Sequence, residues 1–205
     1  MKRYRLPIEQ YEVQRPFIKD LERNLKPGEC VLYRDFVNQY NANQAKVANL
    51  QLVVLSRDKI GAPLTVQKIS NFCSDKDTAS CDSFFVADVM AFHMTPKGKH
   101  SSGLLSGFSK IYQCGDHGPH FVSRQTVLNE PRFHELYGIE LENHFLCSYH
   151  AYNRCDGAGV ESKRLAMKAR GGPVEDREYA ELPNKSAHVA FPTTESTAEP
   201  TCSPT

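Results

Sequence analysis

The sequence has no apolar run near the roughly 20 residues needed to cross a bilayer; its longest apolar stretches are LQLVVL and FFVADVMAF. It also lacks an excess of either charge. With 25 basic and 24 acidic residues the net charge is +1, so no overall field draws in a nucleic acid, and any such binding must be local. The start, MKRYRLPIEQ, has no apolar secretory core. The 7 cysteines contain no Cys-x-x-Cys pair, which argues against a disulfide framework and for reduced thiols. A soluble protein of the nucleus or cytoplasm is expected. No terminal DNA-binding module, such as a paired Cys/His finger or a basic helix-turn-helix, is recognisable in it.

The 205 residues, 40 % of them hydrophobic, are enough for one ordinary domain with chain to spare. Residues 1–28 read as a polar, partly helical segment, with Phe17, Leu21 and Leu25 at four-residue spacing before a KPGE turn. Residues 29–172 carry the core. Residues 183–205, rich in Pro, Ser, Thr and Glu, have little to bury and are expected to be a disordered tail.

Within the core the apolar pattern predicts strands over 29–36, 46–58 and 64–72, joined closely enough to form an antiparallel meander. A helix is expected over 79–93, entered at Asp77 or Thr78, with the acidic run Asp75, Asp77, Asp82 and Asp88 as its entry and solvated face. A strand over 109–115 follows, then helical segments interrupted by Pro131, a strand over 139–148, and a final helix with Asp156 as its N-cap. The class is therefore α/β, with the order β1-β2-β3-α-β4-α-β5-α. This is the order of a ribonuclease H-like fold, a mixed five-stranded sheet flanked by helices, in which the first and fourth strands lie side by side.

That order gives three aspartates a common destination. Asp35 ends the first strand, Asp116 ends the fourth, and Asp156 opens the last helix. Each alone is an ordinary loop or helix cap; together they form a carboxylate cluster suited to hard divalent cations such as Mg2+ or Mn2+. Glu161 is the rival third acid. It lies about 500° round the helix from Asp156, so only one of the two can enter a shared cleft.

Three motifs carry a resemblance. LKPGECVLYRDFVNQY resembles the first catalytic strand of DDE/D-type transposases of mobile DNA elements, GDHGPHF looks like their second motif, and YHAYNRCDGAGVESKR like their third. The resemblance spans residues 25–170, and the third motif is its most specific part. The Tyr-His-Ala-Tyr turn, and the Pro and second His after Asp116, depart from the family pattern.

The resemblance implies DNA strand cleavage and joining at a two-metal site held by Asp35, Asp116 and Asp156, with Glu161 as the alternative third acid. It also implies a chain that is a fragment or domesticated copy of a mobile element. His150 would contact a phosphate or assist proton transfer, and Lys163, Arg164 and Lys168 would hold the scissile strand through phosphates. DNA is the expected partner, a homo-oligomer is compatible, and no membrane is involved.

Two alternatives stand beside it. One is a catalytically inactive nucleic-acid or protein binding module of the same fold. The other is a zinc-stabilised interaction domain: Cys114, His117 and His120, with Cys147, His150 and Cys155, have spacings that zinc accepts. His117, His120, His134 and His144 otherwise read as surface or packing histidines.

Overall fold

The computed structural model describes residues 5–42, 45–73, 82–146, 154–158 and 193–194. Helix α1, Arg5–Asn24, leads through the KPGE turn, where Gly28 adopts φ 82°, into β1, Glu29–Ala42. Strands β2, Ala45–Ser56, and β3, Thr65–Cys73, complete an antiparallel meander with β1. Helix α2, Ser83–Met94, then precedes β4, Lys110–Asp116. Helix α3, Arg124–Tyr137, and β5, Glu140–Leu146, follow. A two-residue strand β6, Thr193–Thr194, pairs with β3 and is the only described part of the tail.

The elements succeed one another in the chain as expected. In space the five main strands lie in the order β3-β2-β1-β4-β5, with β6 beyond β3, so the sheet does not follow chain order. Strands β1, β4 and β5 are mutually parallel and β1, β2 and β3 antiparallel. The result is an α/β fold around a mixed open sheet, with β1 in the middle.

Side chains alternate between the two faces of a strand, and the core divides accordingly. Cys30 and Leu32 of β1 pack with Leu50, Leu52 and Ile69 against α2, and Phe133 and Tyr137 of α3 join them. Val31 and Tyr33 pack on the opposite face with Val53, Leu55 and Cys114, against Ile18 of α1, Leu25 just past its end, and Cys155 and Ala158. Of the residues at four-residue spacing, Leu25, just past the end of α1, is buried, but Phe17 is half exposed and its ring meets His144 instead.

Three local expectations are corrected. Helix α2 is capped by Asp82, whose carboxylate accepts from the N–H of Phe85, so it starts later than Asp77 or Thr78. Pro131 does not interrupt α3: it sits on the solvent side, where the carbonyl deprived of a donor can bond water. Residues 154–158 are already helical, which puts Asp156 inside the segment rather than at its N-cap.

Candidate active site

Parallel pairing of β1 with β4 stops at Arg34 opposite Gly115, so the next residues lie side by side beyond it: Asp116 ends β4, whereas Asp35, expected to end its strand, lies inside β1, which runs on to Ala42 and pairs it with Gln51. By alternation both follow Tyr33 and Cys114 onto the face covered by α1 and residues 154–158. Just beyond Asp35 the β1–β2 register slips between Val37 and Tyr40. Such irregularities re-aim strands at the rims of sites.

Asp156 arrives on this face because its neighbours are tied down. The Cys155 thiol donates to the carbonyl of Gln51 on β2, at 3.5 Å. Arg154 donates from Nε and Nη2 to both carboxylate oxygens of Glu22 on α1, at 3.0 and 2.9 Å, and Glu22 also accepts from the Tyr33 hydroxyl at 2.7 Å. One carboxylate thus joins α1, β1 and the 154–158 segment.

The electrostatics register the convergence. Burial pushes the Asp35 carboxyl up to about 6, and the negative charges of Asp116 and Asp156 push in the same direction. A buried carboxylate whose charge two others oppose is the environment a divalent cation relieves.

Asp116 is held the other way. The imidazole of His120 and the backbone N–H of Gly118 keep its carboxyl below the usual range. Gly118 N–H donates to Oδ1 at 3.0 Å, whereas His120 Nε2 stands 3.5 Å from the same oxygen. That nitrogen meets no hydrogen-bond geometry, so we regard the contact as electrostatic. Space at Gly118 is tight: a Cβ would come within 2.6 Å of His120 Cε1 and 2.9 Å of Asp116 Oδ1, so a larger residue would displace one of these side chains.

On the opposite face Arg34 is wholly buried, with its guanidinium 4.9 Å from the centre of the Phe121 ring. It donates to Asn143 at 2.9 Å, and Asn143 in turn donates to Glu130. Gly115 makes room for it, since a Cβ would lie 3.4 Å from Arg34 Nε and 3.3 Å from Phe121. Close approach at Gly115 therefore serves the core, while no described atom lies within 4 Å of a Cβ built on Gly157.

Of the candidate residues, Asp35, Asp116 and Asp156 are brought together. Among the described residues no three His, Cys, Asp or Glu side chains form a closed metal-holding group, so the three aspartates are neighbours rather than a finished cage. Cys114 and Cys155 are buried thiols, the first pushed up to about 12 and the second well above its ordinary value by burial, and they pack as small apolar groups. The ring of His117 packs on Phe145.

His150, Cys147, Glu161, Lys163, Arg164 and Lys168 lie outside the described residues. Sequence reasoning missed Glu22, Arg154 and the role of His120. For His120 a signal existed in the Gly-Pro-His that follows Asp116. No family model and no curated protein matches the chain.

Proposed function

We propose that the chain is a ribonuclease H-like domain of the DDE/D transposase type, cleaving and joining DNA strands with divalent cations. The observation that carries this reading is the convergence of Asp35, Asp116 and Asp156 on one face, where the pairing of the central parallel strands β1 and β4 stops, with Asp35 held up to about 6 by burial and by the other two. The mixed sheet, with β1 central and parallel to β4, supports it.

The donors suit the cation: three carboxylates are hard oxygen ligands of the kind magnesium prefers. Asp35, Asp116 and Asp156 would hold it, with Glu161 the alternative to Asp156. When bound, it supplies activation of a water or 3′-hydroxyl and stabilisation of the leaving oxygen. The chain's own groups position and steer. Gly118 N–H and His120 fix which way the Asp116 carboxylate faces, and the Glu22–Arg154 pair fixes the segment bearing Asp156. Lys163, Arg164 and Lys168 would hold the strand through its phosphates, and His150 would contact a phosphate or carry a proton.

The second reading, a binding module of the same fold without cleavage, draws on Asp116 being already engaged by Gly118 and His120. Nicking of labelled duplex DNA separates the two. The purified chain is expected to nick in Mg2+ and not in EDTA, and Asp116→Asn to lose at least roughly 100-fold, more than a change outside the metal shell usually costs. Equal nicking by both proteins would eliminate the catalytic reading.

A further inference from the structure

Asn49 is wholly buried in β2, and neither its Nδ2 nor its Oδ1 has a hydrogen-bond partner. Burying an amide without partners is costly, and an orphan of this kind calls for an explanation. The fold satisfies a comparable amide elsewhere. Asn71, also buried, donates to the Leu50 carbonyl at 3.2 Å, and its Oδ1 lies 2.9 Å from His93 Nε2. Gln51, two residues along β2, accepts from the Ser70 hydroxyl at 2.7 Å.

The position of Asn49 is specific. In the β1–β2 ladder Gln51 is paired with Asp35 and Asn49 with Val37. Asn49 shares the alternation of Val53 and Leu55, which pack on the α1 face, so its side chain is on the face of Asp35. Diagonal neighbours of this kind sit roughly 7–8 Å apart, close enough for two side chains to converge on one hydrated ion. Cys155, bonded to the Gln51 carbonyl, brings Asp156 to the same part of the sheet.

We infer that Asn49 is a fourth group of the carboxylate site, its amide holding the water shell of a divalent cation bound by Asp35, Asp116 and Asp156. The inference rests on the metal-binding reading above. Magnesium retains several waters when protein-bound, and such waters donate to an amide oxygen, while Nδ2 is free to donate to a water or carboxylate oxygen.

The test is calorimetric titration of the full chain with Mn2+, and with Mg2+ in parallel, alongside thermal unfolding in EDTA. Asn49→Leu, matched in size and apolar, is expected to unfold at a higher temperature than wild type without cation, because the orphan amide is gone. Its Mn2+ affinity is expected to fall by roughly 10- to 100-fold, as for other groups that support a metal from outside its direct ligands. Asn49→Ala, which removes the amide without adding bulk, is expected to lose Mn2+ affinity to the same extent and keeps the assignment testable should the leucine variant not fold, since wild-type affinity in the alanine variant overturns it equally. If Asn49→Leu binds Mn2+ as wild type does while Asp116→Asn does not, the role of Asn49 is overturned and the carboxylate site stands. If wild type binds neither cation, the metal-binding reading falls, and this inference with it.

Discussion

A carboxyl group buried beside two other carboxylates is most stable with its proton on, and Asp35 is such a group. Its folded value is raised from 3.8 to about 6. The native state therefore binds the proton more tightly than the unfolded chain does. The stability this contributes is fully present below about pH 4 and is lost as pH rises through 6. Asp116 has the opposite sign: its carboxyl is lowered, so its contribution is present above the unfolded value and is lost on stronger acidification. The two windows do not overlap. Metal-free protein is thus expected to be less stable at pH 7.5 than at pH 5 by a term that Asp35→Asn removes. That term is about 1 kcal/mol after discounting for the solvent that reaches the group. Urea unfolding of both proteins across this range checks it. Parallel pH profiles would show that Asp35 does not feel its neighbours.

At the scale of elements, the Glu22 carboxylate is the joint between α1, the middle strand β1 and the segment carrying Asp156. It is 12 % exposed and Arg154 is 23 % exposed, so neither charge is well solvated, and removing one leaves the other buried without its partner. Glu22→Gln is expected to cost about 2–4 kcal/mol, near the lower end for a buried pair. Tyr33→Phe, losing one hydrogen bond to a charged acceptor, should cost about 1.5 kcal/mol. A double-mutant cycle on Glu22 and Arg154 should give a coupling of about 1 kcal/mol or more, and zero coupling would reduce the joint to coincidence.

This joint also marks the boundary of what local sequence could reveal. The strands were legible because buried β-branched and aliphatic runs report themselves within eight or ten residues, as in β2, and Asp35 and Asp116 were legible as the polar ends of such runs. Glu22 was not, because it sits in a helix of polar residues, and the partner that buries it, Arg154, is 132 residues away. Asp156 was legible as part of a helix but not by its place in it, since an aspartate before Gly-Ala-Gly imitates a cap. Asn49 and Gln51 interrupt the apolar alternation of β2 on the site face. That interruption is visible in the sequence, but its meaning depends on which strand lies alongside.

For the whole molecule, the near balance of charge decides how DNA could be received. A net charge of +1 supplies no general attraction, and three carboxylates on one face, beside the point where the β1–β4 pairing stops, oppose the approach of a phosphate backbone. A divalent cation among them cancels two of the three negative charges, an effect felt over a distance comparable with the Debye length, about 8 Å at physiological salt. DNA binding and cation binding should therefore be coupled. Expressed as affinities, duplex DNA is expected to bind on the order of tenfold more tightly in Ca2+ or Mg2+ than in EDTA, within the usual range of coupling between two sites. By linkage, DNA must tighten cation binding by the same factor. The double variant Asp35→Asn with Asp116→Asn should bind DNA in EDTA about as well as wild type does with cation, because it lacks the charges the cation would neutralise. Fluorescence anisotropy with a labelled duplex, in EDTA and in Ca2+, measures the first factor, and Mn2+ titration with and without DNA measures the second. Equal DNA affinity in both buffers would place the carboxylates away from the path of the phosphates and favour a module that binds elsewhere on the fold.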